Sequence, residues 1–251
     1  MSSFQTKINM FFQLPLQTKM KILFAVPAQK IYNFLKLSGK NSHRFSDILM
    51  DEYRRNDDFF FMQIGANDGV KFDNLYKFVT QNKCSGIVVE PLKVYFDLLS
   101  ENYAKYPKIK PVNYALHQSD KEAYIHHVDP NKINLLPDDW DWAQGIGSFN
   151  EKHSQKSYIP AEYMIKEKVD CISFMELIQQ QEVSSINLLQ IDVEGYDFKV
   201  LKMIDYKVIK PSIIKYEHIN LSKKEAKQAH NLLKSHGYIV FKQDIDTINF
   251  L

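Results

Sequence analysis

The sequence predicts an α/β fold built on a mostly parallel, doubly wound sheet. Strongly apolar runs, FFFMQI at 59–64, GIVV at 86–89 and INLLQIDV at 186–193, suit strands buried on both faces. Between them apolar residues recur at helical spacing, so strand and helix alternate. A third observation places a ligand. The first run opens into the loop GANDG, whose Gly65 and Gly69 bracket a turn where a ligand can meet bare backbone.

A chain of 251 residues has room for one such domain with a full core and an extension, and is cramped for two. Apolar residues at 45% and charged residues at 25% match ordinary globular usage, which excludes disordered and membrane-embedded classes. The two cysteines, Cys84 and Cys171, form no CxxC pair, so no zinc knuckle or disulfide framework is expected and a cytoplasmic setting is. The net charge of +2 hides an asymmetry: residues 1–46 hold seven basic side chains and no acid, leaving 25 basic and 30 acidic side chains, or −5, in the rest. The chain is therefore divided into a basic helical extension, residues 1–46, and a domain, residues 47–251. Apolar clusters broken by Pro15 and Pro27 make the extension a set of short helices, which pack on the domain or lie on a membrane surface as a peripheral contact. No apolar run there approaches the ~20 residues needed to span a bilayer, and the one around Leu23 is too short and too far along for a signal peptide.

Residues 51–58 form a polar, charged approach to the first strand. Asp73 is placed to cap a helix bearing Leu75, Tyr76, Phe78 and Val79. The second strand is 86–90, the next helix 92–106 and the third strand 110–116. Residues 117–168 are less regular. A strand is expected at 124–128, but DPNKINLLPDDWDWAQGIGSFNEKH is rich in turn formers and holds both tryptophans, so the stretch is read as an insertion or lid over the site. Regularity resumes with a strand at 168–172, a helix at 174–181, the strand at 186–193 and a helix at 198–204. A strand at 211–219, a helix at 222–236 capped by Ser222 and stopped by Gly237, and an antiparallel pair at 238–243 and 247–251 complete the order.

A parallel open sheet opens its ligand crevice at the carboxyl ends of its strands, and three of these strands end in acids. Buried charge there is costly unless it binds something. Glu90, closing the second strand, can accept hydrogen bonds from both hydroxyls of a ribose. Asp192 and Glu194 follow the strand in NLLQIDVEGYD, with Asp197 read as a cap for the next helix. Glu217 and His218 close SIIKYEHI, and adjacent residues on a strand point to opposite faces, so one of the two is expected to face the crevice. Asp68 discriminates between cofactors. A pyrophosphate favours an unobstructed positive helix end, which a carboxylate in the loop opposes. S-adenosylmethionine has no phosphate, and its ammonium and sulfonium are stabilised by a nearby carboxylate. The loop, which also lacks the third glycine of GxGxxG, favours that methyl donor over the NAD of an oxidoreductase.

In order and spacing, FFFMQIGANDG, GIVVEP, VNYAL, INLLQIDVEGYDFKVL and SIIKYEH resemble the successive motifs of the FkbM-type family of S-adenosylmethionine-dependent methyltransferases, over residues 59–251. The resemblance implies a Rossmann-like class I methyltransferase sheet, seven-stranded and mostly parallel, with a C-terminal antiparallel hairpin. It implies that Gly65, Asn67, Asp68 and Gly69 hold the methionine moiety and Glu90 the ribose, that Asn113 and Ala115 lie near the nucleoside, and that Asp192 sits between cofactor and acceptor. Gln190 stands where the family has a lysine two residues before that aspartate. The family often methylates hydroxyls on sugars and natural products, so a saccharide or other small-molecule acceptor is expected.

An O-methylation releases a proton, and two histidines are candidate bases: His218 at a strand end, taken first, and His153 in the lid. In a second version, Asp192, Glu217 and His218 hold a divalent ion such as Mg²⁺ against an acceptor diol. His126, His127 and Asp129, and the trio Asp138, Asp139 and Asp141, also invite metal readings, but a solvated strand edge and an acidic turn suit them better. Nucleic acid is disfavoured as substrate, because the domain is net negative and lacks a basic-aromatic stripe. A non-catalytic protein that binds a cofactor or docks on a membrane or partner is the remaining alternative, and acids intact at several strand ends oppose it.

Overall fold

The computed structural model describes residues 42–71, 73–137, 140–153 and 159–251. Helix α1 (Ser42–Arg55) leads into β1 (Phe60–Ile64), α2 (Tyr76–Gln81), β2 (Ser85–Val89), α3 (Lys93–Tyr103), β3 (Ile109–Val112) and β4 (Ala115–Leu116). Then come β5 (Glu122–Val128), β6 (Gly147–Ser148) and β7 (Met164–Ile172), joined through 3₁₀ turns. The chain returns through α4 (Phe174–Gln180), β8 (Leu188–Ile191), α5 (Asp197–Met203), β9 (Ile213–Glu217), α6 (Lys223–Ser235), β10 (Ile239–Gln243) and β11 (Asp246–Phe250).

Seven strands form the main sheet in the order β10-β11-β9-β8-β1-β2-β3. The five from β9 to β3 are parallel, and β11 enters antiparallel between β9 and β10. This is the Rossmann-like, mostly parallel sheet with a C-terminal antiparallel hairpin that the sequence implies. Its strands alternate side chains between two helical layers. Met62, Ile64, Leu189, Ile191 and Ile214 pack with residues of α4, α5 and α6 such as Leu177, Leu201 and Leu233. Phe61, Val88, Leu188, Ile213 and Ile248 pack with Leu49, Val79 and Leu99 of α1, α2 and α3. Burial on both faces is why the strands read as strongly apolar runs. Local signals agree: α4 and α6 each begin with a capping box, Ser173 with Glu176 and Ser222 with Glu225.

Three segments differ from the sequence reading. Residues read as a polar approach lie largely in α1, which runs through the position where the sequence divides extension from domain. Its Phe45, Ile48, Leu49 and Tyr53 pack on the domain, and the Tyr53 ring meets Phe59 and Phe78 edge-on at 5.7 and 5.6 Å. The charged run DEYRRNDD obscures that periodicity. The strand expected at 110–116 is broken at Asn113 and Tyr114, and β4 joins a different sheet. That sheet, ordered β4-β7-β5-β6, is the third difference, since it organises the segment read as irregular. Its seven-residue antiparallel pairing of β5 with β7 joins positions more than 30 residues apart, which local pattern does not reveal. Residues 1–41, most of the basic extension, lie outside the described residues. Among the described residues no helix is long and apolar enough to cross a membrane.

Helix α1 is tied to the sheet by Asn187. Its Oδ1 accepts from Phe60 N and its Nδ2 donates to Glu52 Oε1, both at 2.9 Å. Asn187→Ala is expected to cost about 1–3 kcal/mol in denaturant unfolding, since it strands a buried amide. It should also speed amide exchange along α1 more than in β8.

Candidate active site

The strand order reverses between β1 and β8, so the loops leaving their carboxyl ends diverge and open a crevice. The two ends approach very closely. Asp192 N donates to Ile64 O at 2.9 Å, and Gly65 N and Ala66 N both donate to Val89 O at 3.0 Å. A Cβ on Gly65 would stand 1.9 Å from Asp192 O, and its φ is +79°. Only glycine satisfies both conditions. The loop then passes through Asn67, at φ +51°. Asn67 N donates to Glu90 Oε2 at 2.9 Å and its Nδ2 donates to Gln144 O at 3.0 Å. The resulting cleft encloses about 630 Å³ of space between its walls, open solvent included. The main sheet lines it with Ile64, Gly65, Glu90 and Asp192, and the 117–168 segment with Ile125, Gln144, Gly147 and Phe149.

Of the residues expected at a cofactor, Gly65, Asn67, Glu90, Ala115 and Asp192 line this cleft and Asp68, Gly69 and Asn113 do not. Asp68 Oδ1 turns back into its own loop and accepts from Val70 N and Lys71 N. Gly69 is a packing position, where a Cβ would come within 2.6 Å of Leu99 and 2.7 Å of Tyr103. Asn113 acts one step behind, its Nδ2 donating to Glu90 O at 2.8 Å and Pro91 O at 2.9 Å and so shaping the end of β2. Glu90 is buried, not an exposed turn acid. Its second oxygen accepts from Leu92 N at 3.0 Å. The sequence reading missed Tyr114, Gln144 and Phe149, which line the cleft. GIGSF in the lid was the available signal for Phe149, whose ring packs 4.8 Å from Tyr196.

The acid end of the crevice is a connected network. Glu194, which lines the cleft at φ +50°, receives Asn220 Nδ2 at 2.9 Å and stands 2.8 Å from His153 Nε2 through the same oxygen. Asn220 Nδ2 also reaches Glu217 Oε2 at 2.6 Å. Asp197 is fully buried and accepts from Gly195 N and Glu217 N. It therefore braces the turn rather than capping α5. Of the Glu217–His218 pair, Glu217 faces this network. His218 turns the other way, its Nδ1 3.1 Å from Thr247 Oγ1, and burial and Lys242 lower its pKa. His218 is not among the residues lining the cleft, whereas His153 touches one that is.

Burial raises the carboxyls at the crevice. It lifts Glu90 to about 7, against the opposing amides of Leu92 and Asn67. It lifts Asp192 to about 8, helped by Glu194 and Asp246 and opposed by Lys215. Asp197 and Glu217 are driven well above the ordinary range by burial and by their acidic neighbours. The metal reading is corrected. Among the described residues no three His, Cys, Asp or Glu side chains are grouped to hold a metal ion, and Glu217 and His218 have the separate partners just described. Of the other trios, His127 is buried 3.3 Å from Glu167 rather than on a solvated edge, and Asp129 caps a 3₁₀ turn through Asn131 N. Asp138 and Asp139 lie outside the described residues.

Fold and crevice together define a Rossmann-like methyltransferase. The chain belongs to the FkbM methyltransferase family: residues 63–240 match the model described as the methyltransferase FkbM domain. Membership implies S-adenosylmethionine as methyl donor. Among solved structures, the methyltransferase FkbM of Methylobacillus flagellatus KT is similar at 12% identity and TM-score 0.47, over 77% of this chain and 44% of that one. The precorrin-6y C5,15-methyltransferase of Geobacter metallireducens GS-15 is similar at 12% identity and TM-score 0.38, over 82% and 86%. The N-terminal domain of human METTL16 in complex with SAH is similar at 10% identity and TM-score 0.42, over 82% and 66%. No curated protein matches the sequence.

Gly65→Ala is expected to destabilise the chain by about 2–4 kcal/mol, because a methyl group and a backbone oxygen cannot share that space. Circular dichroism during thermal unfolding would read the loss. The raised carboxyls give a second expectation. A carboxyl whose folded pKa exceeds its unfolded value contributes stability that is fully present below pH 4 and is lost as pH rises through the folded pKa. For Glu90 and Asp192 that window closes at about 7 and about 8. Asp192→Asn should therefore raise Tm by roughly 5 °C at alkaline pH, with the gain shrinking toward pH 4. An equal gain at both ends would contradict the assignment.

Proposed function

We propose that this chain transfers the methyl group of S-adenosylmethionine to a hydroxyl oxygen of a saccharide or similar small natural product. The observation that carries the reading is the Glu194–His153 pair, a carboxylate lining the cleft with an imidazole 2.8 Å behind it. The residues present suit the donor. Glu90 offers a buried carboxylate for a diol, Asp192 offers an acid for a cationic methionine end, and Leu92, Ala115, Leu116 and Ile125 offer an apolar wall for a flat base. When bound, the donor supplies an electrophilic methyl carbon on sulfur.

The chain's own task is alignment and proton removal. As the acceptor oxygen forms its bond to the methyl carbon, the carbon–sulfur bond breaks and its electron pair stays on sulfur. The hydroxyl proton passes to Glu194, which faces the cleft, and the pair shares it with His153 behind. Holding the oxygen in line supplies several kcal/mol, and a positioned base adds ~10²–10⁴-fold. His218, oriented toward Thr247, has no such part.

In a thermal-shift screen, S-adenosylhomocysteine is expected to raise Tm and NAD to leave it unchanged. Labelled methyl transfer to a panel of saccharides, small natural products and RNA would then test the acceptor class, which counts of label in RNA alone would overturn. With an acceptor in hand, Glu194→Gln should lower kcat by about 10²-fold or more while keeping affinity for S-adenosylhomocysteine within a few fold. His153→Ala should shift the pH–rate profile, and His218→Ala should match the wild type. Full turnover in Glu194→Gln would end the proposal for that pair.

A further inference from the structure

Behind the cleft, a polar row crosses the sheet. Gln63 on β1, Gln190 on β8 and Lys215 on β9 are register partners. They lie two residues beyond Phe61, Leu188 and Ile213 and so share the face that looks toward α1, α2 and α3. Lys215 is the cation of that row. Its Nζ is 2.9 Å from Asp246 Oδ2 on β11, with the two side chains only 18% and 20% exposed, and 5.7 Å from the Phe45 ring centre on α1. Asp192 follows Gln190 by two positions and continues the same face toward the crevice.

The charges are unequal. Asp192 is faced by Glu194 from its own turn, by Asp197 from α5, by Glu217 from β9, by Asp246 from β11 and by Asp73 from the loop after β1. Among the described residues acting on Asp192, Lys215 is the one that favours its charge. The influence is mutual: burial works against the ammonium, while Asp246, Asp192 and Asp73 hold it charged. A simple staple of β9 to β11 needs only the pair with Asp246. An ammonium that also serves Asp192 reaches the ligand crevice, and Gln190, one strand nearer, is neutral and cannot.

We propose that Lys215 is a positioning residue for the cofactor site: anchored by Asp246, its ammonium favours the anionic form of Asp192, the form that meets the cationic methionine end of the donor. This rests on the methyl-donor reading above. Asp246 lies beyond the stretch that matches the family, so the C-terminal hairpin contributes to the site from outside it.

The test is calorimetric titration of S-adenosylhomocysteine into the full chain between pH 6 and 9. Lys215→Met is expected to lose roughly tenfold in affinity near neutral pH and to regain it about one pH unit higher, because the remaining charged groups all resist ionisation of Asp192. Lys215→Arg should restore the wild-type profile. In an Asp192→Asn background, Lys215→Met should have no further effect on affinity. If Lys215→Met fails to fold, Lys215→Gln carries the test, with an expected loss and pH shift of similar size in the same direction. A variant with lower Tm but an unchanged affinity profile would overturn the proposal, as would an undiminished loss in the Asp192→Asn background. Failure of the wild-type chain to bind S-adenosylhomocysteine at any pH would instead overturn the methyl-donor reading together with this one.

Discussion

The site depends on the space that Gly65 leaves empty. Asp192 O occupies the place where any other residue would put its Cβ, so β1 and β8 end in contact before their loops part. That contact sets the start of the crevice and aims the GANDG loop across β2. There Asn67 N meets Glu90, and Asn67 Nδ2 meets Gln144 in the insertion. One missing side chain thus couples the GANDG loop, the second strand and the 117–168 segment. A close backbone approach of this kind tolerates no gradual adjustment, since neither partner is a flexible side chain.

Around that contact the chain accumulates acids at a cost in stability. Asp192, Glu194, Asp197 and Glu217 converge where three are buried beyond easy ionisation. Hydrogen bonds rather than cations make the arrangement tolerable: Asn220 Nδ2 bridges Glu194 and Glu217, and Asp197 takes two backbone amides. Burial without a close counterion disfavours the charged forms of such a network. The excess of acid at one end of the cleft and the apolar wall at the other distinguish the two ends of the ligand it fits.

The strands were legible because burial on both faces leaves strongly apolar runs, and α4 and α6 because Ser173 and Ser222 carry their capping glutamates. Glu90 was legible for a similar reason, since a carboxylate closing a buried strand needs a partner. What the sequence hid was direction. Asp68 looked like a ligand group, but an aspartate can fold onto amides two and three residues ahead, and nothing in GANDG shows that it does. Glu194 received less weight than His218, because left-handed backbone at Glu194 and Gly195 turns the chain after β8 and strand periodicity stops applying there. Gln144, Phe149 and Lys215 reach the site through tertiary pairing, and the β5–β7 hairpin that carries the lid joins distant segments.

The antiparallel hairpin decides which member of the Glu217–His218 pair faces the ligand. Because β11 runs against β9, its first residues lie at the crevice end of the sheet, with Asp246 opposite Glu217 and Thr247 opposite Tyr216. A parallel neighbour would bring its last residues there and would need a crossover connection to do so. The hairpin turn instead delivers Ile245 O to His218 N and the Thr247 hydroxyl to the His218 ring, which closes that side of the strand end. Glu217 then has only the network of Asp197 and Asn220 to enter. The same turn sets Asp246 beside Lys215, so a feature that looks like an edge closure also fixes the polarity of the crevice: acid and histidine on the ligand side, the cation held behind.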